Sequence, residues 1–427
     1  MASSSRRQLL FLMIALGTSF SLGNLWRFPF VVSENGGGSF VFLYIFLGFL
    51  VGLPVLILEM FLSSQKPQSY RVIPVVLNFF VLTYYSVISG WVLFFLTDFL
   101  MLFVDHQRMP QGMYILFQYP WLQWLLASVH IIAFVFLWRR EKESLLWRFR
   151  RVMMPLLVLI LGLLLYQSLQ LTSITDSLRY LFYPDFEEWS RFSIGHAIGH
   201  VFFTLSVGFG VFLTIRDFYD KDDYAPMIGL RMTIMDMVFS LVSLMVVFPL
   251  IFLQKDKVSS NPFLLFDFLP PAFLNFRYGV VFGFLFFLLL YLSALNSSLI
   301  LFRALISLTD PVMSSRIPKD KRGFCIGLSL FVFSSFPAMG LPFYFFFRVN
   351  NFNLIEQMDH VLIHWLLPLG VLCLLLATRD RIQSVEFRNF VVRSSSVTSA
   401  WFYVPLKLIL LYFIPGLILF DFISRIF

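Results

Sequence analysis

Eleven long apolar runs dominate this sequence and decide the class of fold that it can adopt. Each run has roughly the 20 residues that an α-helix needs to cross the hydrocarbon core of a bilayer. Long continuous runs, in contrast to strict alternation, predict helices and not a barrel. With 59% hydrophobic and 13% charged residues, the chain can neither cover a soluble domain with polar side chains nor remain disordered. We therefore predict an all-α polytopic membrane protein with spans 1 to 11 at residues 8–32, 38–63, 72–103, 119–138, 151–171, 196–219, 225–254, 278–308, 322–347, 354–378 and 399–424.

The positions of the basic residues predict the orientation of these spans. If the N-terminus is cytoplasmic, 20 of the 32 Lys and Arg residues fall on the inside, 8 on the outside and the remaining 4 within spans. Lys and Arg concentrate in cytoplasmic loops, so this bias predicts a cytoplasmic N-terminus and an outside C-terminus. The net charge of +8 is then a topology signal, and we do not expect nucleic acid to be a partner. Cys325 and Cys373 lie in apolar runs, where we expect small buried side chains and neither a disulfide nor a metal site.

Spans 1 and 6 carry paired glycines and hydroxyl residues at mid-membrane depth. Residues 17–29 read GTSFSLGNLWRFP, and residues 203–210 read FTLSVGFG. Glycine is unfavourable in a helix interior, and such stretches can also serve close helix packing through small residues. Because five spans separate the two, they occupy matching places in two halves of the chain, a pattern typical of broken helices at a transporter site. We predict a first five-helix repeat at 1–171, an inverted repeat at 196–378 and an added helix at 399–424.

A series of short motifs resembles the neurotransmitter:sodium symporter family. The motifs run in order through nearly the whole chain: Gly23 to Pro29, Glu34 to Phe40, Gly52-Leu53-Pro54 with Glu59, Tyr84-Tyr85 with Trp91, Met153-Met154-Pro155, Pro184-Asp185-Phe186, Thr204 to Gly210, Asn296-Ser297-Ser298 and Met358-Asp359. The short loops are most similar to those of prokaryotic amino-acid transporters of this family. The resemblance implies the leucine-transporter-like fold and a sodium-coupled symporter that imports an amino acid by alternating access across the inner or plasma membrane.

Three other functions stay open at this point. The same fold could serve a non-transporting amino-acid sensor, or a transporter coupled to protons through His200 and Asp236. A membrane-embedded enzyme could use His196, His200 and Asp236, although the glutamate of an H-E-x-x-H metal motif is missing. We favour the symporter and expect no enzymatic activity.

The resemblance also implies which residues contact the substrate. Half-helix N-termini would face its carboxylate and unwound carbonyls its ammonium group. The hydroxyl of Tyr85 would donate to the carboxylate. Monoamine transporters carry an aspartate where this chain has Ser21, so the lack of an acid there argues against an amine substrate. The expected contacts are Thr18, Ser19, Ser21, Leu22, Gly23, Val81, Tyr85, Phe203, Thr204, Ser206, Phe209, Ser297 and Leu301, a mainly apolar set that favours a hydrophobic or aromatic amino acid.

Two sodium sites are implied in the same way, so we expect one or two ions. The first would consist of the Ser19 carbonyl, Asn24, Thr204 and Asp236. The second would consist of the carbonyls of Gly17, Phe20 and Ser293 with the side chains of Asn296 and Ser297.

The surroundings of the first sodium site depart from the family pattern. Asp236 stands where asparagine is usual and His200 where glutamine is usual. Tyr44 and Ser240 match positions that line the chloride site in chloride-dependent members, and chloride-independent members often carry a glutamate at the Ser240 position. We infer that Asp236 supplies the negative charge that chloride or that glutamate supplies elsewhere, and chloride dependence is therefore disfavoured. A carboxylate at this depth needs a partner, which would be sodium or His200.

Charged residues also suggest how the site closes. Arg27 and Asp359 match the pair that closes the outside gate of the family, with Phe209 as a lid beneath them. Glu59 is expected to accept from amides that the break in span 6 frees. For an inside gate, Arg6 or Arg7 could pair with Asp310.

Overall fold

The computed structural model describes residues 20–63, 70–105, 109–140, 144–186, 192–214, 224–253, 264–313, 317–339, 354–392 and 397–426. Within these ranges all regular structure is helical, as the apolar runs predict. Eight of the helices are long and apolar enough to cross a bilayer, and they correspond to spans 2, 3, 4, 7, 8, 9, 10 and 11.

The helix boundaries follow the apolar runs closely. The uninterrupted spans are Val72–Leu102 for span 3, Pro120–Arg139 for span 4, Ser144–Ser168 for span 5, Ala225–Leu253 for span 7 and Gly279–Met313 for span 8. Three spans contain a five-residue π-helical turn between two α-helices: Gly48–Gly52 between Gly38–Leu47 and Leu53–Ser63 in span 2, Leu362–Leu366 between Leu354–Val361 and Leu367–Ala377 in span 10, and Ile409–Phe413 between Val397–Leu408 and Ile414–Ile426 in span 11. Span 9 consists of two α-helices, Lys319–Phe333 and Ser335–Met339. Short helices lie in the connections at Tyr114–Gln118, Ile174–Phe182, Leu264–Asp267, Leu269–Leu274, Arg379–Ile382 and Val385–Val391.

Span 6 is interrupted where the sequence predicts a break. Its helix runs over Ser193–Thr204 and is followed by turns over residues 205–210. Ser206, with a φ of 56°, and Gly208, with a φ of 88°, lie in the left-handed region, which a continuing helix cannot use. The described part of span 1 begins with bends at Phe20 and Ser21, and helix follows as Gly23–Arg27, a π-helical turn, and Phe28–Glu34.

Spans 1 and 6, whose helices are interrupted, lie at the centre of the molecule. Span 3 packs on spans 4 and 8. The π-helical turn of span 1 contacts span 7, and the helix of span 6 contacts spans 2 and 10. Spans 2 and 3 are mostly buried within the protein, whereas span 11 lies at the periphery and is largely exposed. The irregular segments of spans 1 and 6 are therefore surrounded by protein, as non-helical backbone at membrane depth must be.

Apolar side chains lie on the outward as well as the inward faces of the helices. Many of the 56 phenylalanines point outward, among them Phe42 and Phe46, where lipid would contact them. The expectation that both cysteines are buried is wrong, since Cys325 is exposed and Cys373 is partly exposed. In a membrane protein the outward faces of helices are as apolar as the inward ones, so an apolar run does not show which side a residue faces.

Candidate functional site

A cavity lies where the irregular segments of spans 1 and 6 face spans 3 and 8. The centre of a water molecule can occupy about 30 Å³ of it, within about 420 Å³ of atom-free space that includes open solvent, so the cavity is narrow in this form. Its lining combines apolar side chains with four hydroxyl groups. The residues are Ser21, Gly23, Val81, Tyr85, Phe203, Ser206, Phe209, Ser297, Ile300 and Leu301.

Nine of these ten lining residues belong to the set that the sequence predicts for the substrate. Ile300 is the addition; it precedes Leu301 on span 8 and was not predicted. Leu22 and Thr204 are buried next to the lining without being part of it. The predicted contacts Thr18 and Ser19 lie outside the described residues. Whether the lining residues bind substrate stays a prediction.

The two irregular segments touch each other at the cavity. A Cβ atom added to Gly23 would lie 2.9 Å from the Phe203 ring and 3.2 Å from the Ser21 hydroxyl oxygen. A larger residue at Gly23 would therefore require the Phe203 ring or the backbone of span 1 to shift. The Leu22 N–H donates to the Tyr85 hydroxyl oxygen at 3.4 Å, which connects the irregular part of span 1 to span 3.

Side chains from neighbouring spans satisfy the backbone that the break in span 6 frees. The Gly208 N–H donates to Glu59 Oε1 at 2.8 Å, in the role that the sequence suggested for this glutamate. Asn78 Nδ2 donates to the carbonyl oxygen of Phe209 at 3.2 Å. Buried backbone groups need such partners, so side chains from spans 2 and 3 stabilise the non-helical backbone of span 6.

A buried carboxylate forms the polar centre next to the cavity. Asp236 is 1% exposed, and it accepts from Asn24 Nδ2 at 2.8 Å and from the Tyr44 hydroxyl at 2.7 Å. The Tyr44 oxygen also lies 3.1 Å from Thr204 Oγ1 and 3.2 Å from Ser240 Oγ. The side chains predicted for the first sodium site are thus adjacent, together with Tyr44 and Ser240 from the predicted charge-balance group. A carboxylate among oxygen donors is a chemistry that suits a hard cation.

A second group of oxygens, without a charged side chain, lies between spans 1 and 8. Ser297 Oγ donates to the Phe20 carbonyl oxygen at 3.4 Å, so these two predicted ligands converge. Asn296 and Ser293 are buried on the same span. The Ser293 hydroxyl has no hydrogen-bond partner within the described part of the chain, which is a costly arrangement unless an ion or water satisfies it. Ser19 of the first predicted set and Gly17 of the second lie outside the described residues.

The predicted gate pair is formed. Arg27 Nε donates to Asp359 Oδ2 at 2.9 Å, with the two side chains 4% and 14% exposed. The Tyr84 hydroxyl donates to the other carboxylate oxygen at 3.2 Å. Mutual pairing of this kind offsets part of the desolvation cost of two buried charges.

His200 contacts Arg27 of the predicted gate pair and not the Asp236 carboxylate. Its Nδ1 lies 3.0 Å from Arg27 NH1, and its ring stacks on Phe28 at 4.9 Å between ring centroids. Since the guanidinium has no acceptor, it donates and Nδ1 accepts. The alternative of a direct His200–Asp236 hydrogen bond is not found among the described residues: Asp236 accepts from Asn24 and Tyr44, and Nδ1 of His200 accepts from Arg27.

Asp310, which was predicted to pair with Arg6 or Arg7 at an inside gate, has a partner in the described structure that was not predicted. Asp310 pairs with Arg322, which lies near the start of span 9. Arg6 and Arg7 lie outside the described residues. The pairing with Arg322 is local, twelve positions along the chain, and the sequence analysis considered only distant partners.

Sequence reasoning missed several residues that support the site. The Ser243 hydroxyl donates to the Asn24 carbonyl oxygen at 2.8 Å. A signal for it exists, because Asp236, Ser240 and Ser243 recur at the spacing of one helix face. Asn78 shares a face of span 3 with Val81 and Tyr85 in the same way. Tyr84 was noted in a motif without its contact to the gate.

Comparison with known proteins agrees with this architecture. A model of the sodium:neurotransmitter symporter family matches residues 3–107 and 116–422. The Bacillus subtilis protein named uncharacterized sodium-dependent transporter YhdH is 27% identical, over 94% of this chain and 95% of its own. The sodium-dependent neutral amino acid transporter B(0)AT2 of Bos taurus is 23% identical, over 60% of this chain and 41% of its own. The crystal structure of MhsT in complex with L-phenylalanine superposes with a TM-score of 0.83 at 24% identity and covers 97% of both chains.

Proposed function

The chain belongs to the sodium:neurotransmitter symporter family, and from this premise we propose that it imports an amino acid with a hydrophobic or aromatic side chain, driven by a sodium gradient. The family consists of transporters, so the membrane-embedded enzyme is set aside. The observation that carries the proposal is the cavity at the two irregular segments, which four hydroxyls line and beside which a buried carboxylate lies.

The chemistry of the cavity supports a zwitterionic substrate. Tyr85 and the segment from Ser21 to Gly23 would face the carboxylate, and backbone carbonyls at the breaks would accept from the ammonium group. Apart from the hydroxyls of Ser206 and Ser297, the remaining lining is apolar, with Phe203 and Phe209 as its largest side chains. MhsT, which shares the fold, was crystallised with L-phenylalanine, and this agrees with an aromatic or large aliphatic substrate.

The two groups of oxygens support the coupling to sodium. We propose that Asn24, Thr204 and Asp236 hold one sodium ion with the Ser19 carbonyl, and that Phe20, Ser293, Asn296 and Ser297 hold a second with Gly17. In the first site the substrate carboxylate would lie beside the ion, which couples the two bindings directly. Asp236 would supply the negative charge locally, so transport would not require chloride.

Alternating access would then follow from the broken spans. Sodium binding would favour the form open to the outside, and substrate would allow Arg27 and Asp359 to pair above Phe209. We propose that the protein is a multi-pass protein of the inner or plasma membrane with a cytoplasmic N-terminus and an outside C-terminus. The proton-coupled alternative loses its main support, because His200 pairs with Arg27 and not with Asp236.

Uptake into proteoliposomes tests the proposal. Purified protein is reconstituted and offered a panel of labelled amino acids, with and without an inward sodium gradient, and with gluconate in place of chloride. We expect gradient-dependent accumulation of L-phenylalanine, L-leucine or a related amino acid in both anions. Binding without accumulation would instead indicate a sensor, and accumulation driven equally by a proton gradient alone would contradict sodium coupling.

A further inference from the structure

Span 11 carries a buried ion pair that the proposed transport cycle does not use. Arg425 Nε donates to Asp421 Oδ2 at 2.9 Å, one helical turn apart, with side chains 7% and 5% exposed. Span 11 is otherwise the most exposed of the eight long spans. Ionisable residues in membrane spans are costly, and where they occur they usually mark functional contacts.

The pair faces inward, onto the first half of span 6. A Cβ atom added to Gly195 would lie 1.8 Å from Asp421 Oδ1 and 2.4 Å from Arg425 NH2. The guanidinium carbon lies 5.8 Å from the centroid of the Phe192 ring. The backbone of span 6 is therefore in direct contact with both charges, and only glycine leaves room for them.

The same pair reaches the gate helix through a row of imidazoles. Arg425 NH2 lies 3.4 Å from Nδ1 of His364, on span 10. The His364 ring lies 4.4 Å from that of His196, on span 6, and 4.5 Å from that of His360. His360 directly follows Asp359 in the sequence, so the row of imidazoles that starts at Arg425 reaches the residue next to the gate carboxylate.

These contacts join the parts of spans 6 and 10 that form the closed gate. His200, which holds Arg27, lies one helical turn beyond His196 on span 6. Asp359, which pairs with Arg27, lies about one turn before His364 on span 10. Span 11 thus contacts both helices at the level of the gate while contributing no side chain to it.

We propose that Asp421 and Arg425 form a latch, the span-11 latch, which holds spans 6 and 10 together and positions Asp359 and His200 for closure on Arg27. The latch acts through Gly195 and His364 and makes no contact with substrate. The span-11 latch rests on the proposed function, because that proposal gives Arg27 and Asp359 the role of a gate. Since it is satisfied in the closed arrangement, removing it shifts the population toward the open one.

Thiol labelling measures this shift without requiring transport or a known substrate. In a background with Cys325→Ala and Cys373→Ala, Ile300→Cys places a thiol in the cavity below the gate. A membrane-impermeant methanethiosulfonate reagent is added to the reconstituted protein in sodium, and the labelling rate is recorded. We expect Arg425→Gln to raise the rate about fivefold or more, in the range of coupling between sites.

Two further variants separate the latch from general damage to the fold. The pair Asp421→Asn with Arg425→Gln leaves no charge unpaired, and Gly195→Ala keeps both charges but displaces them. We expect both to raise labelling as Arg425→Gln does. Lys407→Gln, a charge change elsewhere on span 11, is the matched control and should leave the rate unchanged.

Combination with a gate variant decides whether the latch acts through the gate. Asp359→Asn should raise labelling by itself, and adding Arg425→Gln should bring little further increase. The proposal is overturned if the latch variants label at the wild-type rate, or if their effects multiply with that of Asp359→Asn. Failure of amino-acid uptake in the wild type would contradict the proposed function and leave the labelling result readable.

Discussion

The two groups of oxygens proposed to bind sodium differ in charge and in the spans that supply them. The first contains the buried carboxylate of Asp236, which Asn24 and Tyr44 hold on both oxygens. The second, between Phe20 and Ser297, offers carbonyls, hydroxyls and an amide without a charged group. In a site with a fixed negative charge, that charge neutralises the bound cation directly. In a neutral site, more distant groups must compensate the charge of the cation. The first site should therefore be sensitive to charge changes and the second to the loss of single oxygen atoms.

Removal of the charge from the first site should have the largest effect. We expect Asp236→Asn to raise the half-saturating sodium concentration for uptake in gluconate at least about 100-fold, because a buried ion would lose its charged partner. Chloride should restore part of the activity. Uptake at a series of sodium concentrations, in chloride and in gluconate, measures both effects.

A second substitution tests whether the charge matters more than the exact side chain. Ser240 lies one helical turn from Asp236 and reaches the same Tyr44 hydroxyl. Ser240→Glu added to Asp236→Asn should therefore recover uptake in gluconate. Unchanged sodium dependence of the single variant in gluconate would show that Asp236 balances no ion.

Loss of one oxygen from the second site should have an intermediate effect. We expect Ser297→Ala to raise the half-saturating sodium concentration about tenfold, the size of a lost bond to a charged group. Chloride should make no difference here. Ser298→Ala is the control, because this neighbour bonds His130 at 2.9 Å and faces away from the cavity. Equal effects of the two variants would refute a sodium site at Ser297.

The smallest effect should come from Ser240→Ala. The Ser240 hydroxyl donates to the backbone carbonyl of Asp236 at 2.8 Å, so it is largely satisfied within its own helix. Tyr44 still donates to the carboxylate without it. We expect the half-saturating sodium concentration to change less than about twofold. A larger change, accompanied by a new chloride response, would indicate that Ser240 contacts an ion itself.

The sequence was sufficient to predict features that local motifs encode. Unfavourable glycines among apolar residues marked the break in span 6, and the motif around Met358 and Asp359 identified an ion-pair partner for Arg27 that lies 332 residues away. Most residues of the cavity followed from the same motifs. Such features are predictable because a short stretch of sequence determines both the backbone conformation and the residue type.

Contacts that depend on helix rotation and packing could not be predicted in this way. The sequence suggested Asp236 as a partner of His200, and only the folded structure shows that His200 bonds Arg27. The proximity of Asp421 to Gly195 arises from the packing of span 11 on span 6, which no pattern within either span reveals. The partly exposed Cys373 shows the same limit, since lipid and protein interior select similar residues.

The bond between Glu59 and the Gly208 amide has a consequence for how the protein is assembled. Span 2 is synthesised well before span 6, so the Glu59 side chain enters the membrane before the backbone group that it binds exists. Until then this polar group lacks its native partner at a depth where water is scarce. The arrival of span 6 relieves that cost and at the same time satisfies the interrupted backbone. Each half of the chain thus contains a buried polar group that only the other half satisfies. This favours association of the two halves over either half folding alone.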